Sequence, residues 1–176
     1  MKVLITGYPG TGKSSVAKEL QRRGHVAYDT EAMRGYMHAE SIQTGIRIPL
    51  PQPVPRGWFG TTGGYNWDIP RVTELLNTYD DVFICALADN QERLYELFDK
   101  IFLLTLDEVE MEQRLRSRNT TSYGKDPGEL ADILTYHQHF EESLLNGTGA
   151  ISIPVNAKPD LSEVVNEILD HTHDSK

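Results

Sequence analysis

The sequence predicts an α/β protein with a mainly parallel sheet. Three features carry that prediction. Short apolar runs alternate with helix-forming segments along the chain. Two of the runs, DVFICAL and KIFLLTL, are apolar on both faces, as buried strands are. The first run, VLI, passes through a glycine-rich turn directly into a helix-forming segment.

Each element has a local reason. Residues 2–6 form the first strand. Residues 13–23 read as a helix, with Val16 and Leu20 on one face and Gly24 as its stop. Residues 25–28 are a short second strand, after which Asp29 or Thr30 can cap a helix starting at Glu31. From 35 to 67 little periodicity remains. Pro49, Pro51, Pro53 and Pro55 stiffen one half; glycines and the aromatics Trp58, Phe59, Tyr65 and Trp67 fill the other. A stretch of that length inside a compact domain is functional or disordered, and its aromatics favour a binding loop. Asp68 then caps a helix over 69–78, 81–87 is a strand, and 90–98 is a helix. A strand over 100–106 leads to a capping-box start at Asp107 and Glu110 for a helix reaching Arg118. A polar loop (119–127), a helix (128–145), a strand (150–154) and a helix (162–171) complete the chain, with a frayed tail.

Composition narrows the function. At 176 residues the chain makes one domain with its own core. A formal net charge of -9 argues against general nucleic-acid or anionic-membrane binding, which rest on a positive field. No window approaches the roughly 18 apolar residues of a membrane span, and Val3-Leu4-Ile5 is too short for a signal peptide. The lone cysteine, Cys85, excludes an internal disulfide and fits a reducing, cytoplasmic setting, as a core residue.

The turn after the first strand holds the strongest chemical signal. Gly7-Tyr8-Pro9-Gly10-Thr11-Gly12-Lys13-Ser14 fits G-x-x-x-x-G-K-[ST]. A triphosphate needs many donors at close range. Backbone amides from about Pro9's neighbours, Tyr8 and Gly10, through Thr11 and Gly12 to Ser15 can curl around one where glycine removes the Cβ. The helix beginning at Lys13 points its positive end at the phosphates. Lys13 can reach the β- and γ-oxygens, and the Ser14 hydroxyl can ligate Mg²⁺. A chance match in a chain of this length is on the order of one percent at average glycine usage, and the strand-before, helix-after context tightens it further.

No N-K-x-D loop for guanine is present, and the run VFICALADNQ lacks the Asp-Glu ending of a large motor or AAA-type ATPase. Small-molecule kinases remain. The chain resembles the nucleoside-monophosphate-kinase-like group of P-loop kinases, which includes adenylate, shikimate and gluconate kinases. Besides the P-loop, three stretches carry the resemblance: HVAYDTE, IFLLTLDEVEMEQRLRSR and ISIPVNAKPDLSEVVNEIL. It implies a three-layer α/β/α P-loop NTPase fold with a mainly five-stranded parallel sheet, an acceptor-binding insert (about 31–67) and a short lid (about 119–127). It also implies an ATP-dependent kinase that uses Mg²⁺ with ATP and acts on a small acceptor, as a monomer or homodimer.

The resemblance places Asp29 beside the acceptor hydroxyl, Arg114 on the adenine, Arg118 on the phosphates, and the loop Ala157-Lys158-Pro159 at the adenine edge. The spacing of Arg114 and Arg118, four apart on one helix face, supports an anion nearby, because like charges there repel; pairing with Glu110 is the plainer explanation. Asp29 is a base or merely a cap. Asp89 is a second candidate carboxylate, and Lys125 a second candidate for the γ-phosphate. Asn90 and Gln91 lie where acceptor contacts arise. Trp58 and Trp67 either stack on a base or sugar ring or plug the loop onto the core. The insert lacks an arginine cluster for a nucleoside monophosphate, and no Gly-Gly-Gly turn follows the third main strand, as shikimate would require. A nucleoside or nucleotide is the first expected acceptor, a polyol or other metabolite hydroxyl the second. An ATPase switch acting on a protein or ribonucleoprotein partner is the reading from another class.

Overall fold

The computed structural model of the chain describes residues 1–158 and 160–173. Among the described residues, eight strands and five α-helices follow one another as β1 (Lys2–Thr6), α1 (Lys13–Arg22), β2 (Ala27–Asp29), β3 (Met37–Ser41), β4 (Arg47–Ile48), β5 (Gly63–Trp67), α2 (Ile69–Thr78), β6 (Val82–Cys85), β7 (Lys100–Thr105), α3 (Glu108–Ser117), α4 (Pro127–Thr148), β8 (Ile151–Pro154) and α5 (Leu161–His173). The main sheet has five parallel strands in the order β2-β6-β1-β7-β8. The glycine-rich turn therefore leaves the central strand, where the chain order reverses across the sheet, the place at which open α/β sheets hold ligands.

Period-two alternation in β1 divides the core into layers. Val3 and Ile5 pack with Val16, Ala17 and Leu20 of α1 and with Val164, Val165 and Ile168 of α5. Leu4 faces the other side, with Val72, Leu75 and Leu76 of α2 and Leu144 of α4. The three-layer α/β/α architecture follows, because each amphipathic helix must bury its stripe against a sheet that is apolar on both faces. Among the described residues no helix is long and apolar enough to cross a membrane.

The stretch from 35 to 67 holds more order than its sequence suggests. β3, β4 and β5 form an antiparallel sheet of their own, in the order β4-β3-β5, over a small core of Ala39, Val54 and Trp58. No helix starts at Glu31. The Thr30 hydroxyl accepts the Trp67 indole N–H at 2.9 Å instead of capping. Asp29 Oδ1 caps only a turn, accepting from Glu31 N (3.2 Å) and Ala32 N (3.4 Å). The segment after β6 is a 3-10 helix, Gln91–Leu97, where a regular helix was expected. Its start is tied by buried Gln91, whose Oε1 accepts from Thr6 Oγ1 (3.2 Å) and Ala88 N (3.3 Å).

Trp67 is 1% exposed and packs against Phe98 and the α2 side of the core. Its ring has no free face, which corrects the stacking expectation for this residue. Asn90, also expected at the acceptor, braces it: Oδ1 accepts from Trp67 N at 2.9 Å and Nδ2 donates to Trp67 O at 3.0 Å. Trp67→Ala is expected to cost about 3–5 kcal/mol of stability in urea titration. Retained stability with lowered affinity for an acceptor alone would contradict the core assignment.

Candidate active site

The turn between β1 and α1 is shaped by close approach. A Cβ on Gly7 would lie 2.6 Å from the Leu104 carbonyl oxygen, so only glycine fits. Gly12 is the N-cap of α1 in the left-handed region (φ 99°). Thr11 is buried and folds the loop on itself, its Oγ1 donating to the Tyr8 carbonyl at 2.8 Å and its N–H to the same oxygen at 3.3 Å. The Ser15 N–H is likewise taken, by Gly12 O at 2.9 Å, which corrects the expectation that the cradle of free amides reaches Ser15. Pro9 has no N–H to give. The amides of Gly10, Gly12, Lys13 and Ser14 take no backbone or side-chain acceptor among the described residues. They sit at the positive end of α1, the arrangement that binds phosphate.

Lys13 is 8% exposed and held in place at its tip. Nζ donates to Gly7 O at 2.7 Å and lies 3.4 Å from the Glu31 carboxylate. Glu31 in turn accepts from Leu87 N at 2.9 Å, just beyond β6. The carboxylate beside the P-loop lysine is therefore Glu31, a residue sequence reading passed over in favour of Asp29 two positions earlier. Both belong to the same corner. Burial pushes the Cys85 thiol pKa up, Asp29 adds to the rise, Lys13 opposes it and Glu31 adds a little more, so all three charges surround the end of β6. Cys85 itself is fully buried in the core, as expected.

Arg118 closes the corner from the loop between α3 and α4. It is the C-cap of α3 and donates to the Tyr123 carbonyl, leaving its buried Nε without a partner. Burial lowers its pKa, against the charges of Glu31, Tyr123 and Glu129. A half-buried guanidinium with an unused donor, near enough to Glu31 to feel its charge, suits an incoming anion. Arg114, half-buried, is paired on its own helix, its Nε bonded to Glu110 at 2.8 Å. The loop itself docks on the β3–β5 segment. Buried Glu129 accepts from Gly124 N (2.8 Å) with one oxygen and from Val54 N (2.7 Å) with the other. Asp132 accepts from Gly57 N at 2.5 Å, and Tyr123 meets Phe59 edge-on at 6.2 Å. Lys125 is exposed. Trp58 is 7% exposed and fills the small core, its ring so close to Gly63 that a Cβ there would lie 2.4 Å away. It plugs the segment and does not offer a stacking face, a second correction among the expected acceptor contacts.

Acidic and phenolic groups also surround the turn. The Tyr8 phenol is pushed up to about 12 by burial, then by Asp89, Asp132, Tyr136 and Glu141. The Tyr123 phenol is raised by burial, then by Glu129, Tyr8, Asp89 and Asp132. Asp89 is open to solvent but recessed, and crowding by protein is the leading cause of its raised pKa; Tyr65 N, donating at 2.6 Å, opposes the rise. A cavity of about 520 Å³ opens here, lined by Tyr8, Asp89, Gln91, Tyr95 and Phe140 among others. Glu141, next to Phe140, has a buried Oε1 without a partner, and desolvation pushes its pKa from 4.5 to about 7. The native state thus holds this proton more tightly than the unfolded chain. Stability present below about pH 4.5 is lost as pH rises through about 7. Glu141→Gln is expected to flatten that part of the stability–pH curve, and an unchanged slope would contradict the assignment.

Comparisons with known proteins bear on the fold. A family model described as an AAA domain matches residues 3–135. The chain belongs to the AAA domain family. No curated protein matches the chain. Among solved structures, a deoxyadenosine kinase from M. mycoides with products dCMP and dCDP bound is similar over 99% of this chain and 100% of its own, at 12% identity and a TM-score of 0.59. A shikimate kinase from Acinetobacter baumannii in complex with shikimate is similar over 99% and 94%, at 14% identity and 0.61. A gluconokinase from Sinorhizobium meliloti is similar over 96% and 89%, at 16% identity and 0.54. This member of the AAA domain family therefore has the fold of P-loop small-molecule kinases.

Within that frame two further groups have a place. Among the described residues no cluster of three or more His, Cys, Asp or Glu is arranged to hold a metal. Magnesium that arrives on a nucleotide needs only one or two protein ligands. Exposed Ser14, at the second position of α1, fits that need. In the loop after β8, Lys158 pairs with Glu167 of α5 at 2.6 Å and Asn156 donates to the α3 cap Asp107 at 2.8 Å. The backbone of Ala157 ends a short 3-10 turn, and Pro159 lies outside the described residues.

Proposed function

We propose that this chain is an ATP-dependent phosphotransferase that moves the γ-phosphate of Mg-ATP to a hydroxyl of a small acceptor, a nucleoside or nucleotide first and a polyol second. One observation carries the reading: Lys13, buried at the mouth of an amide cradle, is held between Gly7 O and a carboxylate fixed to the end of β6. Such a lysine is positioned before the phosphates arrive, and kinase chemistry is mostly positioning and charge neutralisation. The kinase fold of the structural neighbours, with their nucleoside, shikimate and sugar-acid substrates, supports it.

In this reading the free amides of Gly10, Gly12, Lys13 and Ser14 bind the β- and γ-phosphates, and Lys13 exchanges Gly7 O and Glu31 for phosphate oxygens. Arg118 brings its unused Nε donor to the charge that develops on the transferred group. Magnesium supplies further neutralisation, held to the protein through Ser14. Asp29 accepts the proton of the attacking hydroxyl, and Glu31 positions the lysine. The loop of residues 118–126 acts as a lid, and the β3–β5 segment forms the acceptor side. The adenine lies near Arg114 and the loop of Ala157, Lys158 and Pro159.

Asp29→Asn is expected to lower kcat about 10²–10⁴-fold with little change in ATP affinity. Loss of stability alone would leave Asp29 as a cap. The whole reading is tested with Mg-ATP and a panel of nucleosides, nucleotides, sugars and polyols. A kinase releases ADP faster with one of them and yields its phosphorylated product by mass. Slow hydrolysis indifferent to the panel, and stimulated by a protein or ribonucleoprotein, would replace it with the switch.

A further inference from the structure

We infer that the Tyr65 hydroxyl is an acceptor-binding group, donating a hydrogen bond to an oxygen of the small molecule that is phosphorylated. This rests on the phosphotransfer proposed above and names the residue by which the β3–β5 segment would hold its substrate. Side chains alternate along a strand, so Gly63, Tyr65 and Trp67 of β5 lie in a row on one face. At one end of the row the Trp58 ring lies against Gly63, in the small core with Val54. Val54 and Phe59 meet the α3–α4 loop there, through Glu129 and Tyr123. At the other end the Trp67 indole bonds to Thr30, the residue between Asp29 and Glu31. Tyr65 stands between the two, with the loop closed by Arg118 on one side and the corner of Lys13 and Glu31 on the other.

The backbone beneath this side chain is fixed from both sides. Tyr65 pairs with Ala39 of β3, and on its other edge its N–H donates to Asp89 Oδ2 at 2.6 Å while its carbonyl accepts from Asp89 N at 3.0 Å. Asp89 lies two residues past Leu87, whose amide Glu31 holds at 2.9 Å. The half-buried ring packs on the small core of Ala39, Val54 and Trp58, yet its hydroxyl makes no hydrogen bond among the described residues. Burial, then the Glu31 charge, raises the phenol pKa, so the group keeps its proton at neutral pH. The Tyr8 and Tyr123 phenols instead feel Asp89 and Asp132. The other side chains of the corner leave a gap that a phenol fills. Ionised Asp29 and Glu31 only accept, while Lys13 and Arg118 are cations suited to phosphate. A neutral, uncommitted donor suits a hydroxyl, ether or carbonyl oxygen of the acceptor. Held on a braced strand, it orients that molecule at little further entropic cost.

The test compares the full chain with Tyr65→Phe, which removes the hydroxyl and keeps the ring. Phosphorylated product is measured by mass with Mg-ATP and, as probes, adenosine, adenosine 5′-monophosphate, shikimate, gluconate and glycerol. On the probe that wild type turns over fastest, the variant is expected to raise KM about three- to tenfold at unchanged kcat, the share of one neutral hydrogen bond made equally in the bound and reacting states. The calorimetric Kd for Mg-ADP and the urea midpoint should stay at their wild-type values, because the hydroxyl has no partner among the described residues. An unchanged KM, a lower kcat at constant KM, weaker Mg-ADP binding or a lowered urea midpoint overturns the inference and leaves the kinase reading standing. Phosphorylation of none of the probes by wild type overturns both.

Discussion

Lys13→Ala is expected to lower kcat by about 10²–10³-fold, the loss typical when one preorganised donor to transition-state charge is removed. The side chain is already desolvated at 8% exposure and held by Gly7 O and Glu31. The substitution also leaves Glu31 near the phosphates without its cation, so Mg-ATP should bind more weakly as well. Steady-state kinetics with the phosphorylated product as readout separates the two effects. Lys13→Arg tests geometry against charge: a longer, forked cation cannot take the same place against Gly7, and only partial recovery is expected. Wild-type turnover in Lys13→Ala would remove the lysine from the mechanism.

The largest stability effect outside the main core belongs to Glu129. One buried carboxylate accepts from Gly124 in the α3–α4 loop and from Val54 in the β3–β5 segment. Glu129→Ala leaves both amides without an acceptor in a buried place, a cost of about 1–3 kcal/mol each. Glu129→Gln keeps one acceptor and turns an NH₂ toward the other amide, so it should fall between wild type and alanine. The two segments that flank the site would then part. Amide exchange at Val54 and Gly124 is expected to quicken more than exchange in β1 or β7. A loss of stability below about 1 kcal/mol, with both amides still protected, would contradict the role of this contact.

The parts legible in the sequence were those set by local periodicity and by short motifs. DVFICAL and KIFLLTL announce buried strands because nothing in them tolerates water, and both stand next to β1 in the sheet. Asp68 and Asp107 are caps that chemistry alone identifies, and their carboxylates accept from Arg71 N and Glu110 N as expected. The P-loop is legible because only glycine fits at Gly7. The small sheet was not legible: GGYNW has weak strand propensity, and it is a strand because β3 pairs with it. The choice for Trp67 between stacking and plugging the loop onto the core stayed open for a related reason. An aromatic beside glycines looks available for stacking until Asn90, 23 residues later, ties its backbone and Thr30 takes its indole N–H. Glu31 was missed because its place depends on Leu87 N, a contact across the sheet. In each case the deciding partner is distant in sequence, where periodicity carries no information.

The central claim is that the free amides ahead of α1, together with Lys13, form a cage for a chain of phosphates. Titration calorimetry of Mg-ADP and Mg-ATP into the full chain tests it most directly. One saturable site per chain is predicted, strongly weakened in Gly7→Ala, where a Cβ would collide with the Leu104 carbonyl. No heat from ADP, ATP or GTP with magnesium, or equal affinity in Gly7→Ala, would contradict it.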